Sequence, residues 1–384
     1  MRNFLALVCL FIILYCNCCL FEQAPYPFYY NSFINVIPVA LYLVLYRTKT
    51  NFKIDIKWIV LSFISFTLMT LIWGRNNGST TLLLFSFMFI PQFFRSIQSQ
   101  ENAKYLIIFL FACEAGLCIY EYAIENNVFM AISTITDRSR FRSTGLWAHP
   151  LHNASIVSVT ILLIIMSNLK LSRKILLLII GIIVLFTFNG RASIISTSIC
   201  TLLIVLQNPR QVFKIVRKHP ILVGATIIMG IVLFGYLSST DLGGKMFNAE
   251  TRNMDDRSAG ARFDLYAYVL NMNIEEWLFG FKNFDAIFLR NDFDYIESTQ
   301  LSLILSMGGL IAIPFMIFQF IDLYHYFDNM RPRYRLIIIL DIVVIGLSSE
   351  SFVGLASWVM IYAAYTALFG NILNSFKNAH LNIL

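Results

Sequence analysis

The stretch TRNMDDRSAGARFDLY, residues 251–266, lies inside the only long polar interval of this chain, which runs from Ser238 to Glu297. Hydrophobic segments occupy most of the sequence on either side of this interval. The interval is long enough to form a small lobe, whereas the flanking segments have the length and composition of membrane spans. The sequence therefore predicts an all-α membrane bundle that carries one lobe outside the bilayer.

Composition supports a membrane protein. Of the 384 residues, 58% are hydrophobic and only 13% are charged, whereas soluble domains carry about 25% charged residues. The net charge of +7 is best explained by Lys and Arg in cytoplasmic loops, so no nucleic-acid partner is expected. The seven Cys lie in or beside apolar segments, and the polar interval has none. No disulfide framework is therefore predicted.

The apolar segments divide the chain into three parts. Residues 1–237 form a predicted transmembrane bundle of nine spans, residues 238–297 form the lobe, and residues 298–384 add three more spans. The twelve predicted spans are residues 4–21, 30–46, 57–73, 79–94, 104–124, 151–169, 174–189, 191–207, 220–238, 298–321, 335–349 and 352–370.

Positive charge gives the orientation. With the N-terminus inside, cytoplasmic connections hold 18 of the 29 Lys and Arg, and short outer connections hold only five. Cytoplasmic loops carry the excess of positive charge in membrane proteins, while long loops are exempt from this rule. We therefore expect both termini in the cytoplasm and the lobe outside, which in a Gram-negative cell means the periplasm.

The lobe contains a helical pattern. Phe263, Tyr266, Val269 and Leu270 recur at helical spacing within residues 258–279, and Gly280 is a plausible helix stop. An amphipathic helix of this kind is expected to lie on the membrane surface or over the mouth of a cavity.

The outer connection at residues 125–150 is unusually basic and leads into a span that begins with two His. An Arg such as Arg142 is a good ligand for phosphate because its fork of donors matches phosphate oxygens. His149 can move protons near neutral pH. A solvated loop that contacts lipid headgroups is the alternative interpretation. The pair formed by His149 and His152 has no third ligand nearby, so no metal is expected.

Other cations and one acid complete the candidate site. Arg191 follows Asn189-Gly190 on the outer side, where positive charge is disfavoured. Arg257 and Arg262 lie near the start of the lobe helix, where the helix dipole opposes a cation unless an anion is near. Glu297 stands at the first turn of the tenth span. Its charge suits that helix end, and its position also suits a general base.

Two further acids fall within predicted spans. Glu114 lies near the middle of the fifth span and Asp341 lies in the eleventh. Ionisable residues at membrane depth are costly, so each is a candidate functional group. Glu114 is expected either to pair with Arg191 or to relay protons, and Asp341 is expected either to act in the site or to lie close to the membrane surface.

No nucleotide-binding or hydrolase motif is present in the sequence: there is no P-loop, dinucleotide fingerprint, nucleophile elbow or His-Glu-x-x-His. Any energy for chemistry must then arrive with the substrate, and no cofactor is expected.

The motifs resemble those of the O-antigen polymerase and O-antigen ligase superfamily of bacterial inner-membrane proteins. The resemblance covers about residues 140–310 together with the twelve-span layout and late lobe. Leu151 and His152 separate Pro150 from Asn153 where the family has Pro-Asn. The matching stretches are Arg142-Ser-Thr-Gly-Leu-Trp-Ala-His149-Pro-Leu-His-Asn153, Asn189-Gly-Arg191-Ala-Ser193, Arg262 followed by Trp277-Leu-Phe-Gly280, and Glu297-Ser-Thr-Gln-Leu301 followed by Gly308-Gly-Leu310.

The resemblance implies a metal-independent inverting glycosyltransferase whose donor is a glycan on undecaprenyl pyrophosphate. Arg191 and Arg262 would hold the phosphates, and Glu297 would accept the proton of the acceptor hydroxyl. Arg142, His149, Asn153 and Arg257 would contribute to substrate binding. A regulator of chain length is a further expected partner.

Three functions remain open at this stage. Glu297 occupies the position where ligases of the superfamily carry His, which favours a polymerase of a surface polysaccharide such as O-antigen or capsule. An O-antigen ligase is the second alternative. A transporter or flippase without covalent chemistry is the third, although no repeated halves of the kind common in transporters are seen in the sequence.

Overall fold

The fold is described from a computed structural model. It describes residues 1–15, 29–50, 52–73, 78–128, 141–147, 149–218, 257–281, 296 and 298–369, and scattered positions between 220 and 235. Every element in this part of the chain is helical, and it contains no strand. The prediction of an all-α fold is confirmed to this extent.

Sixteen helices are numbered here in chain order over the described residues. They are α1 Arg2–Tyr15, α2 Tyr29–Leu45, α3 Arg47–Thr50, α4 Ile56–Trp73, α5 Gly78–Ile97, α6 Glu101–Ile124, α7 Pro150–Met166, α8 Leu171–Thr187, α9 Arg191–Gln207, α10 Pro209–Lys218, α11 Arg257–Leu270, α12 Ile274–Phe279, α13 Thr299–Met307, α14 Gly309–Tyr326, α15 Pro332–Ser348 and α16 Leu355–Phe369.

Most predicted spans coincide with one of these helices. The ninth predicted span, residues 220–238, lies mostly outside the described residues. Two helices, α6 and α14, are long and apolar enough to cross a membrane, and several other apolar helices are shorter. The structure thus supports apolar helices at the predicted positions without establishing twelve spans.

The core is organised around α16. Nearly every residue of this helix is buried, and it packs against α5, α6 and α7. An aromatic cluster continues the core between α4, α5 and α14, where the Trp58 ring lies 5.5 Å from Phe87 and 5.9 Å from Phe315. Interlocking rings of this kind bury large apolar areas in preferred geometries.

Lys and Arg side chains connect helix ends at one end of the bundle. Lys57 at the start of α4 pairs with Asp322 of α14, whose other carboxylate oxygen accepts from Trp58 Nε1 at 2.7 Å. Arg335 of α15 donates to the carbonyls of Met330 and Asp328, at 2.9 and 2.7 Å. These are cations of the predicted cytoplasmic side, and the contacts give them a role in joining helix ends.

The predicted lobe helix is interrupted. The sequence pattern predicts one helix over residues 258–279, whereas α11 ends at Leu270 and α12 begins at Ile274. Asn271, Met272 and Asn273 form the break, and Asn273 is the N-cap of α12. Asn favours turns and helix caps over helix interiors, which accounts for the interruption.

The tenth predicted span is also broken, at Gly308 between α13 and α14. Gly308 has φ +78, and a Cβ there would overlap the carbonyl oxygen of Leu278 in α12. Gly309 is equally close to the lobe, since its Cβ would lie 2.8 Å from the Trp277 ring. The break exists because α12 packs directly onto the backbone at the α13–α14 junction.

Replacement of Gly308 should be costly. We expect Gly308→Ala to destabilise the protein by about 2 kcal/mol or more, because the added Cβ meets backbone and φ is positive. Thermal unfolding of the purified protein measures this change. The matched control is Gly116→Ala in α6, where a Cβ has open space, so unchanged or slightly raised stability is expected. Equal stability of both variants would contradict the packing described.

Candidate functional site

The basic segment that starts at Arg142 is held in place by a buried carboxylate of α6. Glu114 accepts hydrogen bonds from Leu146 N at 2.6 Å and from Asn153 Nδ2 at 3.1 Å. The same Asn153 amide donates to the Thr144 carbonyl, closing the segment on itself. Cys118 Sγ contacts Glu114 Oε1 at 3.3 Å. The expected pairing of Glu114 with Arg191 is not observed among the described contacts of Glu114; its carboxylate instead positions residues 144–153.

A second carboxylate, one not predicted from the sequence, has the same role. Glu121 is fully buried and accepts from the backbone N–H groups of Thr144 at 2.8 Å, Gly145 at 2.9 Å and Val128 at 2.9 Å. Glu121 follows Glu114 by seven residues, a spacing that puts both side chains on one face of a helix. That spacing is the signal in the sequence that could have identified it.

Gly145 allows the two carboxylates to approach the segment. It has φ +57, and a Cβ would overlap the Glu114 side chain. Only glycine adopts this backbone at little cost while leaving room for the carboxylate. The glycine of the Arg-Ser-Thr-Gly stretch is thus explained by contact with Glu114.

The segment is joined directly to the turn that carries Arg191. Ser143 N donates to the Thr187 carbonyl at 3.0 Å, which ties the residue after Arg142 to the end of α8. Asn189 takes a left-handed φ of +53 in the turn, and Gly190 is the N-cap of α9. Two sequence motifs that are separated by about 40 residues are therefore brought together.

The N-termini of α7 and α9 lie side by side. A Cβ on Gly190 would lie 3.1 Å from the Cβ of Ala154, the fifth residue of α7. Neither helix has a side-chain cap, since the N-caps are His149 and Gly190. Each helix N-terminus carries partial positive charge and favours anions. Arg142, His149 and Arg191 are half-buried in the same region, so basic side chains and helix N-termini are gathered there.

The start of α9 also faces the end of α15. Cys200 Sγ contacts the Ile337 carbonyl at 3.7 Å, and Ser196 Oγ donates to Asp341 Oδ1 at 2.6 Å. The two contacts show that α9 and α15 run antiparallel. Five residues before Ser196 on α9 and five residues after Asp341 on α15, this register places Arg191 beside Gly346. Gly346 in turn lies against α13, because its Cβ would be 2.9 Å from Gln300 Nε2.

Asp341 holds this register. Its carboxylate is fully buried and accepts from Ser158 Oγ of α7 at 2.8 Å as well as from Ser196. Ser158 also shares a hydrogen bond with Thr197 at 2.5 Å. The depth of Asp341 relative to a membrane surface stays a prediction. A carboxylate bonded by hydroxyls from two neighbouring helices fixes how α7, α9 and α15 pack together.

The connection between α15 and α16 contacts both α13 and α7 at the site. The Ser349 carbonyl accepts from Thr299 N at 2.9 Å and Thr299 Oγ1 at 2.7 Å, at the start of α13. Ser351 Oγ donates to the Leu151 carbonyl of α7 at 3.0 Å. The lobe helix α11 contacts the end of α15 through Tyr266, whose hydroxyl donates to the Leu347 carbonyl at 3.1 Å. We call this meeting place of residues 142–153, 187–191, 298–300 and 346–352 the junction.

The predicted site residues divide into two groups. Arg142, His149, Asn153 and Arg191 are brought together at the junction. Glu297 lies outside the described residues, although its neighbour Ser298 is fully buried and accepts from Leu301 N as the N-cap of α13. Helix α11 contains Arg257 and Arg262. The structure describes only the backbone of these two residues.

The two His of the junction are neighbours, with ring centroids of His149 and His152 4.9 Å apart. Among the residues that the structure describes, no group of three or more His, Cys, Asp or Glu could hold a metal ion. The described part of the junction offers basic side chains, helix N-termini, hydroxyl groups and the carboxylate of Glu350.

A scan against protein-family models finds no match to this chain, and a search of curated proteins finds no significant match. Fold and site geometry therefore carry the functional interpretation.

The anchoring of the basic segment can be tested at Glu121. We expect Glu121→Gln to destabilise the protein by about 3 kcal/mol, because an amide would bring an N–H group against the buried backbone N–H groups that now donate to the carboxylate oxygens. Hydrogen exchange should also become faster at residues 143–146. The control is Glu101→Gln, an exposed acid of the same helix, which should cost about 1 kcal/mol or less. Unchanged exchange in Glu121→Gln would contradict the anchoring role.

Proposed function

We propose that this chain is a membrane-embedded glycosyltransferase that joins lipid-linked repeat units of a surface polysaccharide, such as O-antigen or capsule. The observation that carries the proposal is the junction, where the uncapped N-termini of α7 and α9 lie together with Arg142 and Arg191. Such an arrangement favours a multiply charged anion. In the proposed reaction that anion is the pyrophosphate of an undecaprenyl-linked donor.

Exposed apolar surface supports a bilayer location. Large side chains on the outer faces of the helices are well exposed, among them Phe63 at 69%, Leu71 at 77% and Phe109 at 66%. Exposed apolar surface of this extent marks a membrane or protein contact. We propose twelve spans in a bacterial inner membrane, with both termini cytoplasmic and the lobe periplasmic, as the distribution of Lys and Arg predicts.

The proposed reaction is a direct displacement at the anomeric carbon of the donor. A hydroxyl oxygen of the acceptor sugar forms a bond to that carbon, and the bond from the carbon to the pyrophosphate oxygen breaks. The leaving pyrophosphate keeps the electron pair, and the hydroxyl proton passes to a base. Attack opposite to the leaving group inverts the anomeric configuration, and the broken phosphate ester supplies the energy.

The cations stabilise the charge that grows on the leaving group. Arg191 and Arg262 are proposed to bind the pyrophosphate, with Arg142, Arg257 and His149 contributing to the same field. Fixed cations and helix dipoles act on such charge without reorganisation during the reaction. Asn153 takes part by positioning, because its amide holds the segment of Arg142 through Glu114 and Thr144.

Glu297 is proposed as the base. It immediately precedes Ser298, whose contacts fix the start of α13 beside the connection between α15 and α16. A base carried by this segment would receive the proton of an acceptor hydroxyl held beside the donor. A chain-length regulator is a proposed protein partner of the same reaction.

The first test is the glycan profile of a deletion strain, separated on a gel and stained for lipopolysaccharide or capsule. A polymerase predicts that the long ladder disappears and a single repeat unit remains on the acceptor. Long polymer retained on its lipid carrier would instead identify a ligase. Repeat units trapped on the cytoplasmic side would identify a flippase, and both of these results would overturn the proposed polymerisation.

The anion site is tested by Arg191→Ala in the complemented strain. We expect a loss of polymer of at least about 100-fold, as is typical when a preorganised charge-stabilising group is removed. Stability should be unchanged or slightly higher, because a cation at the first residue of a helix opposes the dipole.

The matched control for this prediction is Arg173→Ala, which removes an exposed Arg from the first turn of the neighbouring helix α8. It should leave the ladder intact. Arg262→Ala should behave like Arg191→Ala, and Glu297→Gln should remove polymer at normal protein levels. A normal ladder in Arg191→Ala would overturn the pyrophosphate site.

A further inference from the structure

We propose that helix α10 lies along the membrane surface at the far end of α9 and binds the headgroups of anionic phospholipids. Its sequence, PRQVFKIVRK over Pro209–Lys218, carries four Lys and Arg and no Asp or Glu. Basic helices with an apolar side bind anionic membrane surfaces, because charge attraction adds to the burial of the apolar side. The inference rests on the proposed bilayer location of the bundle and is independent of the proposed polymerisation.

The four cations of α10 share one side of the helix. Lys214 follows Arg210 by four residues and Lys218 follows Lys214 by four, while Arg217 follows Arg210 by seven. Residues at these spacings lie on one face, because seven residues complete about two turns of an α-helix. All four side chains are exposed, and none forms an ion pair with an acid of the described part of the chain. The basic face of α10 is therefore open to an external anion.

Apolar side chains of α10 are exposed as well. Phe213 and Val216 are three residues apart and so share a second side of the helix. Phe213 is 79% exposed and Val216 is 41% exposed. Burial of such side chains at the boundary between headgroups and acyl chains is favourable. A soluble anion would leave them in water, so the exposed apolar side favours a lipid as the partner.

A break in the chain separates α10 from α9. Pro209 is the first residue of α10, and proline disfavours a helical conformation in the residue that precedes it, here Asn208. Asn208 Nδ2 donates to the Ile204 carbonyl at 2.8 Å and so satisfies one of the last carbonyls of α9. Helix α10 is therefore not a continuation of α9 and is free to take the direction of a membrane surface.

The length of α9 places α10 far from the junction. Helix α9 begins at the junction with Arg191 and has 17 residues, which corresponds to a length of about 25 Å. This length approaches the thickness of the hydrocarbon core of a bilayer, so a junction at one membrane surface puts α10 near the other. The exposed side chains of Leu202 and Leu206 lead along α9 towards α10. The apolar outer surface of the bundle thus continues up to the basic helix.

Further exposed cations lie at the same end of the bundle. Helices α7 and α9 start together and pack along each other, so their ends lie on one side. Lys170 follows the end of α7, and Arg331 and Arg333 stand at the start of α15, which runs antiparallel to α9. Each cation near a membrane surface strengthens the attraction to anionic lipid over neutral lipid. The partner that fits is therefore an anionic phospholipid of the leaflet opposite to the junction.

The test compares purified full-length protein in two kinds of lipid nanodisc, one of phosphatidylcholine and one of equal parts phosphatidylcholine and phosphatidylglycerol. Hydrogen exchange of the α10 amides, measured by mass spectrometry, reports how firmly the helix is held. We expect exchange at least about 10-fold slower with phosphatidylglycerol, because the four cations are then attracted to the surface. Salt at about 1 M should remove the difference, since exposed charges are screened. Inorganic phosphate added to the phosphatidylcholine sample should not slow exchange.

The variant Arg210→Gln/Lys214→Gln/Arg217→Gln/Lys218→Gln should exchange at one rate in both kinds of nanodisc. The matched control, Lys214→Arg/Lys218→Arg, keeps the charges and should keep the full difference. Phe213→Ser should exchange faster than the wild type in both kinds, because it removes apolar contact with the lipid. Where the fourfold variant does not accumulate, Lys214→Gln/Lys218→Gln provides the comparison, and an undiminished difference in either variant would overturn the inference.

The remaining outcomes separate this inference from the proposals before it. Equal exchange of the wild type in the two kinds of nanodisc would overturn lipid binding by α10 and leave the proposed polymerisation untouched. Slower exchange with inorganic phosphate alone would assign α10 to a soluble anion, which also overturns the inference. A protein that stays dispersed in water without lipid or detergent would overturn the bilayer location itself.

Discussion

The two carboxylates of α6 are the interaction on which the rest of the site depends. Glu114 and Glu121 are buried, and together they accept hydrogen bonds from the backbone of Thr144, Gly145 and Leu146. Buried carboxylates without such donors would be very costly. The segment after Arg142 and helix α6 therefore satisfy each other, and a connection that would otherwise be a loose loop becomes part of the bundle.

From this anchor the remaining parts follow by contact. The anchored segment bonds to the end of α8 through Ser143 and Thr187, and α7 then begins directly beside α9. Asp341 fixes α7 and α9 against α15 through two serine hydroxyls. Positive helix ends and arginines are gathered at one place, while the acids that organise them are buried or face another segment. This separation of buried structural acids from half-buried basic side chains suits binding of an anion.

Two glycines at the contact between the lobe and the bundle make a second constraint. Gly280 and Gly308 both have positive φ, and Phe281 N donates to the Leu305 carbonyl at 2.9 Å. The backbone at the end of α12 therefore contacts the backbone at the break between α13 and α14 directly. Tyr266 of α11 reaches the end of α15 from the same side. The described part of the lobe is therefore in contact with the helices that form the junction, so its position and the geometry of the junction are coupled.

Apolar periodicity in the sequence was sufficient to predict the helices and most of their positions, because segment length and hydrophobicity are local properties. The distribution of Lys and Arg singled out Arg142 and Arg191, because positive charge is disfavoured in the connections that are predicted to lie outside. Other features depended on contacts between distant segments. The break at Gly308 arises from the approach of α12, and the partner of Glu114 is a backbone that only folding brings near. The importance of Glu121 likewise comes from what surrounds it, since a lone acid in a sequence does not reveal whether backbone amides will face it.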